Sequence, residues 1–170
     1  MVIWLIGLSK SGKTTIAKKL VKSLKAKKKI NFFHLDGDVM RKIYSDKLGY
    51  TIEDRKINAM RISKLCKLLS DQGVNVVASV LSNFPIWQKW NKKNIKNYKQ
   101  VFLKVNLKTL LSRDKQKLYK NAINGQIKNV VGIDIKFNKP IKSTIVIDNN
   151  KNFKDVSPKV REIEKKLKIR

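Results

Sequence analysis

The chain has 170 residues, enough to bury a core in one domain without disulfides or structural metals, and its single cysteine, Cys66, excludes an internal disulfide. No apolar run approaches the ~20 residues of a membrane helix, and the N-terminus shows neither a basic lead nor a cleavage site, so a cytoplasmic location with no membrane partner is expected. The net charge of +28 invites a nucleic-acid reading. Only six of the forty Lys and Arg residues are arginine, however, and Ile and Asn are abundant, which favours compositional bias spread over solvated faces.

Val2 to Ile6 is an uninterrupted apolar run, the pattern of a strand buried on both faces. It leads directly into Gly7, Leu8, Ser9, Lys10, Ser11, Gly12, Lys13 and Thr14, the spacing G-x-x-x-x-G-K-[ST] of a phosphate-binding loop. The residue types follow from the chemistry. Gly7 and Gly12 let backbone N–H groups turn inward, Lys13 reaches the β- and γ-phosphates, and the Thr14 hydroxyl suits Mg²⁺. Thr15 then opens a helix over 13–27 whose N-terminal amides face the phosphates.

A second strand is expected at 30–35 and ends in Asp36-Gly37-Asp38. Carboxyl ends of parallel strands face the ligand crevice, so both acids should meet the phosphate loop. Phosphoryl transfer needs a carboxylate for the attacking hydroxyl, a role for Asp38, and one near the metal, a role for Asp36. His34, the only histidine, reads as a packed strand residue, since no Cys, His or Asp cluster with metal spacing accompanies it. Thr51 with Asp54 forms a capping-box pattern for a helix that stops at Gly73. On it, Asp54 and Arg55, Asn58 and Arg61 are expected along one side, with Ile57, Met60 and Leu65 packing opposite and Cys66 in the core.

Strands at 74–80, 100–105 and 144–148 complete a set of five, with a helix at 86–97 carrying Trp87 and Trp90. Ser157-Pro158 predicts an N-cap and a terminal helix over 158–168. Alternating strands and helices argue for an α/β fold: a doubly wound, five-stranded parallel sheet flanked by helices, in one domain over 1–170 with no internal repeat or linker.

Taken in order, GLSKSGKTT, HLDGDVMR, LGYTIEDRKINAMRI, NVVASVLS and RDKQKLYKNAINGQIKNVVGID resemble adenylylsulfate kinase, the enzyme that makes 3′-phosphoadenylylsulfate in sulfate assimilation. The resemblance runs from residue 1 to about 148. It implies Mg-ATP as donor, the 3′-hydroxyl of adenylylsulfate as acceptor, and a mobile helical lid over 113–134 carrying Arg113, Lys117, Lys120 and Lys128. By position, residues 7–15 and Arg113 would hold ATP, and Thr14 and Asp36 would serve the metal. Lys13, Asp36, Asp38 and Ser82 would form the catalytic set, with Ser82 a pocket residue rather than a phosphorylated intermediate. Arg41, Tyr50, Arg55, Asn58, Leu81, Ser82 and Lys117, with Asp38, would grip the acceptor.

Three departures stand out. Lys10 replaces the glycine usual in mid-loop, which is tolerable if that residue keeps a negative φ. The family's Lys-Gly-Leu-Tyr is Gln116-Lys117-Leu118-Tyr119 here, and the stretch after Ser82 is Asn83-Phe84-Pro85-Ile86-Trp87-Gln88-Lys89-Trp90. The two tryptophans either reshape the acceptor pocket or anchor their helix. The sequence therefore leaves open a related kinase acting on another nucleotide anhydride, such as cytidine diphosphoramidate. A basic phosphate-loop protein that binds nucleic acid is the lesser alternative, without an aromatic RNA-binding signature to support it. The oligomeric state stays open, a homodimer included.

Overall fold

A computed structural model describes residues 1–44, 48–140, 145–151 and 155–169. Its strands are β1 (Val2–Ile6), β2 (Phe32–Asp36), β3 (Asn75–Val80), β4 (Tyr98–Lys104) and β5 (Ile145–Asp148). They form one sheet in the order β2-β3-β1-β4-β5, every pair parallel. Parallel neighbours require crossovers, which the helices supply: α1 (Lys13–Lys28), α2 (Gly37–Ile43), α3 (Ile52–Asp71), α4 (Pro85–Asn94), α5 (Leu107–Ser112), α6 (Leu118–Ile123) and α7 (Ser157–Leu167). All five expected strands are present within a few residues; residue 144 lies outside the described residues.

β1 is central and every side chain on it is fully buried. Strand residues alternate between faces, so Ile3 and Leu5 pack with Ile16, Leu20 and Leu24 of α1 and Val160 and Ile163 of α7, while Val2, Trp4 and Ile6 pack with Met40, Ile62 and Cys66. A third, smaller cluster joins Leu110, Tyr119, Ala122 and Val130 to Leu8. That cluster seats the 113–134 segment on the phosphate loop.

The capping box at Thr51 forms as expected: Thr51 Oγ1 accepts from the Asp54 amide and the Asp54 carboxylate accepts from the Thr51 amide. Other local expectations shift. The last helix is capped by Val156, with Ser157 already its first helical residue, because the Ser157 hydroxyl and amide are both donated to Asp155. The helix carrying Trp87 and Trp90 ends at Asn94 rather than 97, and Asn97 turns into the left-handed region before β4 begins at Tyr98. On α3 the expected packing side is rotated. Ala59, Ile62 and Cys66 are buried, while Ile57 and Met60 are each 38 % exposed.

Candidate active site

A cleft of about 660 Å³ opens at the carboxyl ends of β1, β2 and β3, where the order of strand connections reverses on either side of β1. One wall is the phosphate loop. Gly12, at φ 93°, adopts a backbone that side chains rarely tolerate, and a Cβ there would lie 2.9 Å from Asn149 Nδ2. Gly7 is required for a different reason, close approach: a Cβ would meet Ser11 Oγ at 2.6 Å and the Leu103 carbonyl at 3.1 Å. Lys10 contradicts the expectation of a negative φ, since it sits at φ 60°. Its ammonium is held by Gln116 Oε1, and the Tyr119 hydroxyl donates to the Ser9 carbonyl at 2.9 Å, so the 113–134 segment is tied to the loop at two points.

Lys13 Nζ donates to the Leu8 carbonyl at 2.8 Å. Burial pulls its ammonium down from 10.5 to about 8, against the opposing pull of Asp38 and Asp36. Thr14 Oγ1 donates to Asp36 Oδ2 at 2.6 Å, and the Asp38 amide donates to Asp36 Oδ1 at 3.0 Å. Asp36 is thus both the N-cap of α2 and the partner of the phosphate loop. Burial resists its ionisation, yet the bonds from Thr14, Ser79 and the Asp38 and Val39 amides prevail and hold its pKa below the ordinary value. Asp38, in the first turn of α2, is exposed and lines the cleft.

The opposite wall is cationic and aromatic. Arg41 and Arg55 both lie over the Tyr50 ring, their guanidinium carbons 4.7 and 5.4 Å from its centroid. Arg41 also donates to the Gly49 carbonyl, and Arg55 to the carbonyls of Tyr50 at 2.8 Å and Asn129 at 2.7 Å. Burial first, then the neighbouring Arg41 charge, lowers Arg55 from its usual pKa. Two cations converging on one exposed ring make a site for an anion attached to a planar group. Asn58 Nδ2 donates to the Gly37 carbonyl at 3.1 Å. Leu81 and Ser82 line the floor, Ser82 at φ 53°.

A phosphate cradle, paired carboxylates and a cationic second subsite in one cleft fit the architecture of known kinases. A family model for adenylylsulphate kinase matches residues 1–148. The chain belongs to the adenylylsulfate kinase family. The cytidine diphosphoramidate kinase of Campylobacter jejuni is 39 % identical over 171 residues, 99 % of this chain and 96 % of the relative. A probable adenylyl-sulfate kinase of Archaeoglobus fulgidus is 34 % identical over 152 residues, 89 % of this chain and 97 % of the relative. Among solved structures, the Mycobacterium tuberculosis APS kinase CysC in complex with AMPPNP and APS superposes with a TM-score of 0.86 at 28 % identity, covering 98 % of this chain and 96 % of that one. As a member of the adenylylsulfate kinase family the chain is a phosphotransferase with a nucleotide-binding P-loop fold.

Most residues singled out from the sequence converge on this cleft: Ser9, Lys10, Gly12 to Thr15, Asp36, Asp38, Arg41, Tyr50, Arg55, Asn58, Leu81, Ser82 and Lys128 all line it. The α3 face that does so is Arg55, Asn58 and Ala59; Arg61 lies instead over the Tyr44 ring at 4.6 Å, and Asp54 is spent on the cap. Arg113 lies off the lining, its guanidinium donating to the Asn149 and Lys151 carbonyls at 2.7 and 2.8 Å. Lys117, at φ 57°, and Lys120 are exposed outside it. Trp87 and Trp90 pack edge-on against each other, 5.8 Å between centroids, and Trp90 carries Lys64 of α3 on its ring. Neither lines the cleft. The divergent stretch reaches it through Asn83 and Phe84 instead.

Several contributors escaped the sequence reading. Asn83 has its amide engaged at both ends, donating to the Lys136 carbonyl at 2.9 Å and accepting from the Asn138 amide at 2.7 Å. Asn149, just past the end of β5, donates to the Ser11 carbonyl at 2.9 Å and braces the phosphate loop. Ser79 donates to Asp36 Oδ2 at 2.8 Å. A polar residue set between apolar ones near the carboxyl end of a buried strand, as Ser79 is between Ala78 and Val80, is the one signal that was available; long-range partners such as Asn149 and Tyr119 carry none.

Proposed function

We propose that this chain transfers the γ-phosphate of ATP to the 3′-hydroxyl of a nucleotide anhydride, and that the acceptor is cytidine diphosphoramidate. The observation that carries the reaction class is the convergence in one cleft of the phosphate loop, Asp38 and the Arg41–Tyr50–Arg55 group. End-to-end similarity to the Campylobacter enzyme, together with the divergent Asn83 and Phe84 at the cleft floor, supports the cytidine acceptor. Adenylylsulfate is the second reading, favoured by the family model and by the likeness to the complex with APS.

In this reading the loop amides and Lys13 bind the β- and γ-phosphates and offset the charge that spreads onto them during transfer. Arg41 and Arg55 hold the acceptor's anhydride while its base lies against Tyr50 and Phe84. This brings the 3′-hydroxyl beside Asp38, which accepts its proton as the oxygen bonds to the γ-phosphorus and the bond to the β–γ bridging oxygen breaks, releasing ADP. The 113–134 segment, already tied to the loop by Lys10 and Tyr119, excludes water from the transfer. The site also suits Mg²⁺: the Thr14 hydroxyl gives its hydrogen to Asp36, which leaves its lone pairs for a cation, and two carboxylates lie close by. When bound, the ion would be held by Thr14 and, through water, by Asp36, and would neutralise phosphate charge.

A coupled ADP-release assay tests the proposal. Turnover with cytidine diphosphoramidate well above that with adenylylsulfate is expected. The reverse order would move the assignment to the second reading, and no turnover with either would overturn the reaction class.

A further inference from the structure

His34 is the chain's only histidine, and neither nucleotide subsite uses it. It is half-buried on β2, with Nε2 2.9 Å from Ser79 Oγ on the adjacent strand β3. Ser79 is 3 % exposed and donates to Asp36 Oδ2 at 2.8 Å, the same oxygen that receives the Thr14 hydroxyl at 2.6 Å. The strand register explains how the groups meet. Asp36 pairs with Ser79 across the parallel ladder, and His34, two residues earlier, projects from the same face of β2 as Asp36.

A serine hydroxyl has one hydrogen. Ser79 gives it to Asp36, so the contact with His34 runs from Nε2–H to a Ser79 lone pair, which fixes the hydrogen on Nε2. The result is a directed chain of bonds, His34 to Ser79 to Asp36, closed from the other side by Thr14. We propose that His34 is a positioning residue for phosphoryl transfer: its Nε2–H locks the Ser79 rotor, and Ser79 in turn holds the Asp36 carboxylate in the orientation that takes the Thr14 hydrogen. Without the imidazole, the Ser79 hydroxyl is free to rotate toward other acceptors. Asp36 then keeps only the Thr14 hydroxyl and backbone amides to fix its plane, and the Thr14 lone pairs lose their fixed direction. Groups one bond removed from a site act this way, by orienting the groups that touch the ligand. The proposal rests on the assignment of Thr14 and Asp36 to the donor site.

A single histidine makes the test direct. In histidine ¹⁵N-labelled protein without nucleotide, two-bond correlation spectra report which ring nitrogen carries hydrogen, and Nε2 is expected to be protonated. Ser79→Ala is expected to shift that resonance. In parallel, His34→Phe and His34→Gln are compared by titration with a fluorescent ATP analogue at saturating Mg²⁺ and by steady-state kinetics. His34→Phe should weaken analogue binding and lower kcat about tenfold with acceptor KM unchanged, while the amide N–H of His34→Gln restores most of both. A bare Nε2 overturns the proposal, as does a His34→Phe protein equal to wild type in analogue affinity and kcat. If His34→Phe does not fold, the tautomer and the His34→Gln comparison still decide. Should no acceptor support turnover, the spectra and the analogue titration read the relay independently of the reaction class.

Discussion

Replacing Lys13 with methionine is expected to stabilise the fold while disabling the site. Burial lowers the Lys13 ammonium from 10.5 to about 8, so the folded protein holds this charge at a cost of about 3 kcal/mol relative to the unfolded chain. The sign follows from proton counting: between pH 8 and 10.5 the unfolded chain binds the extra proton, so wild-type stability rises with pH across that window, and below pH 8 the whole cost is present. Methionine keeps the unbranched stem and removes the charge. It also removes the bond to the Leu8 carbonyl, about 1 kcal/mol, although that carbonyl keeps the Ser11 amide at 3.2 Å. The net gain at pH 7 is about 2 kcal/mol, or roughly 4–8 °C in Tm for a chain of this size. Urea denaturation of both proteins without nucleotide, at pH 7 and at pH 10.5, measures it. The gap should shrink at the higher pH, and Mg-ATP should stabilise only the wild type. A Lys13→Met protein that is no more stable than wild type at pH 7, or whose advantage does not change with pH, would refute the reasoning.

Three further outcomes follow from the geometry. If Asp38 serves the acceptor hydroxyl as proposed, Asp38→Ala should lower kcat by roughly 10²–10⁴-fold in steady-state assays while a fluorescent ATP analogue still binds, since among the described residues no hydrogen bond joins Asp38 to the phosphate loop and its pull on Lys13 is through charge alone. Phe84→Ala should raise acceptor KM about tenfold, whereas Trp87→Ala, whose partly buried ring packs on Trp90 outside the cleft, should cost about 1 kcal/mol in denaturant unfolding and leave acceptor KM unchanged; the opposite split would place the tryptophan in the pocket. Asn149→Leu leaves the Ser11 carbonyl without its long-range donor, so a loss of about 1–3 kcal/mol and weaker ATP-analogue binding are expected from thermal unfolding and titration.

Local sequence determined whatever depends on neighbours along the chain. The apolar run 2–6, the glycine spacing 7–12 and the Thr51–Asp54 box each encode their own conformation, because strand burial, left-handed backbone and helix capping are set within a few residues. The order Lys13, Asp36, Asp38, Arg55 also carried the kinase reading, since parallel strands must deliver their carboxyl ends to one edge. Rotation about α3 was not legible. Asn58 turns inward because its amide reaches the Gly37 carbonyl, and Ile57 turns outward as a consequence, a choice made by packing against α2 and β3 rather than by helical period. The divergent segment 83–90 drew attention to its tryptophans, yet only the fold shows that Asn83 and Phe84 are its contribution to the cleft. Asn149, Tyr119 and the His34–Ser79–Asp36 chain belong to the tertiary structure alone. Their bonds join residues far apart in sequence or on neighbouring strands, and no local pattern encodes which distant strand the sheet will set beside a given side chain.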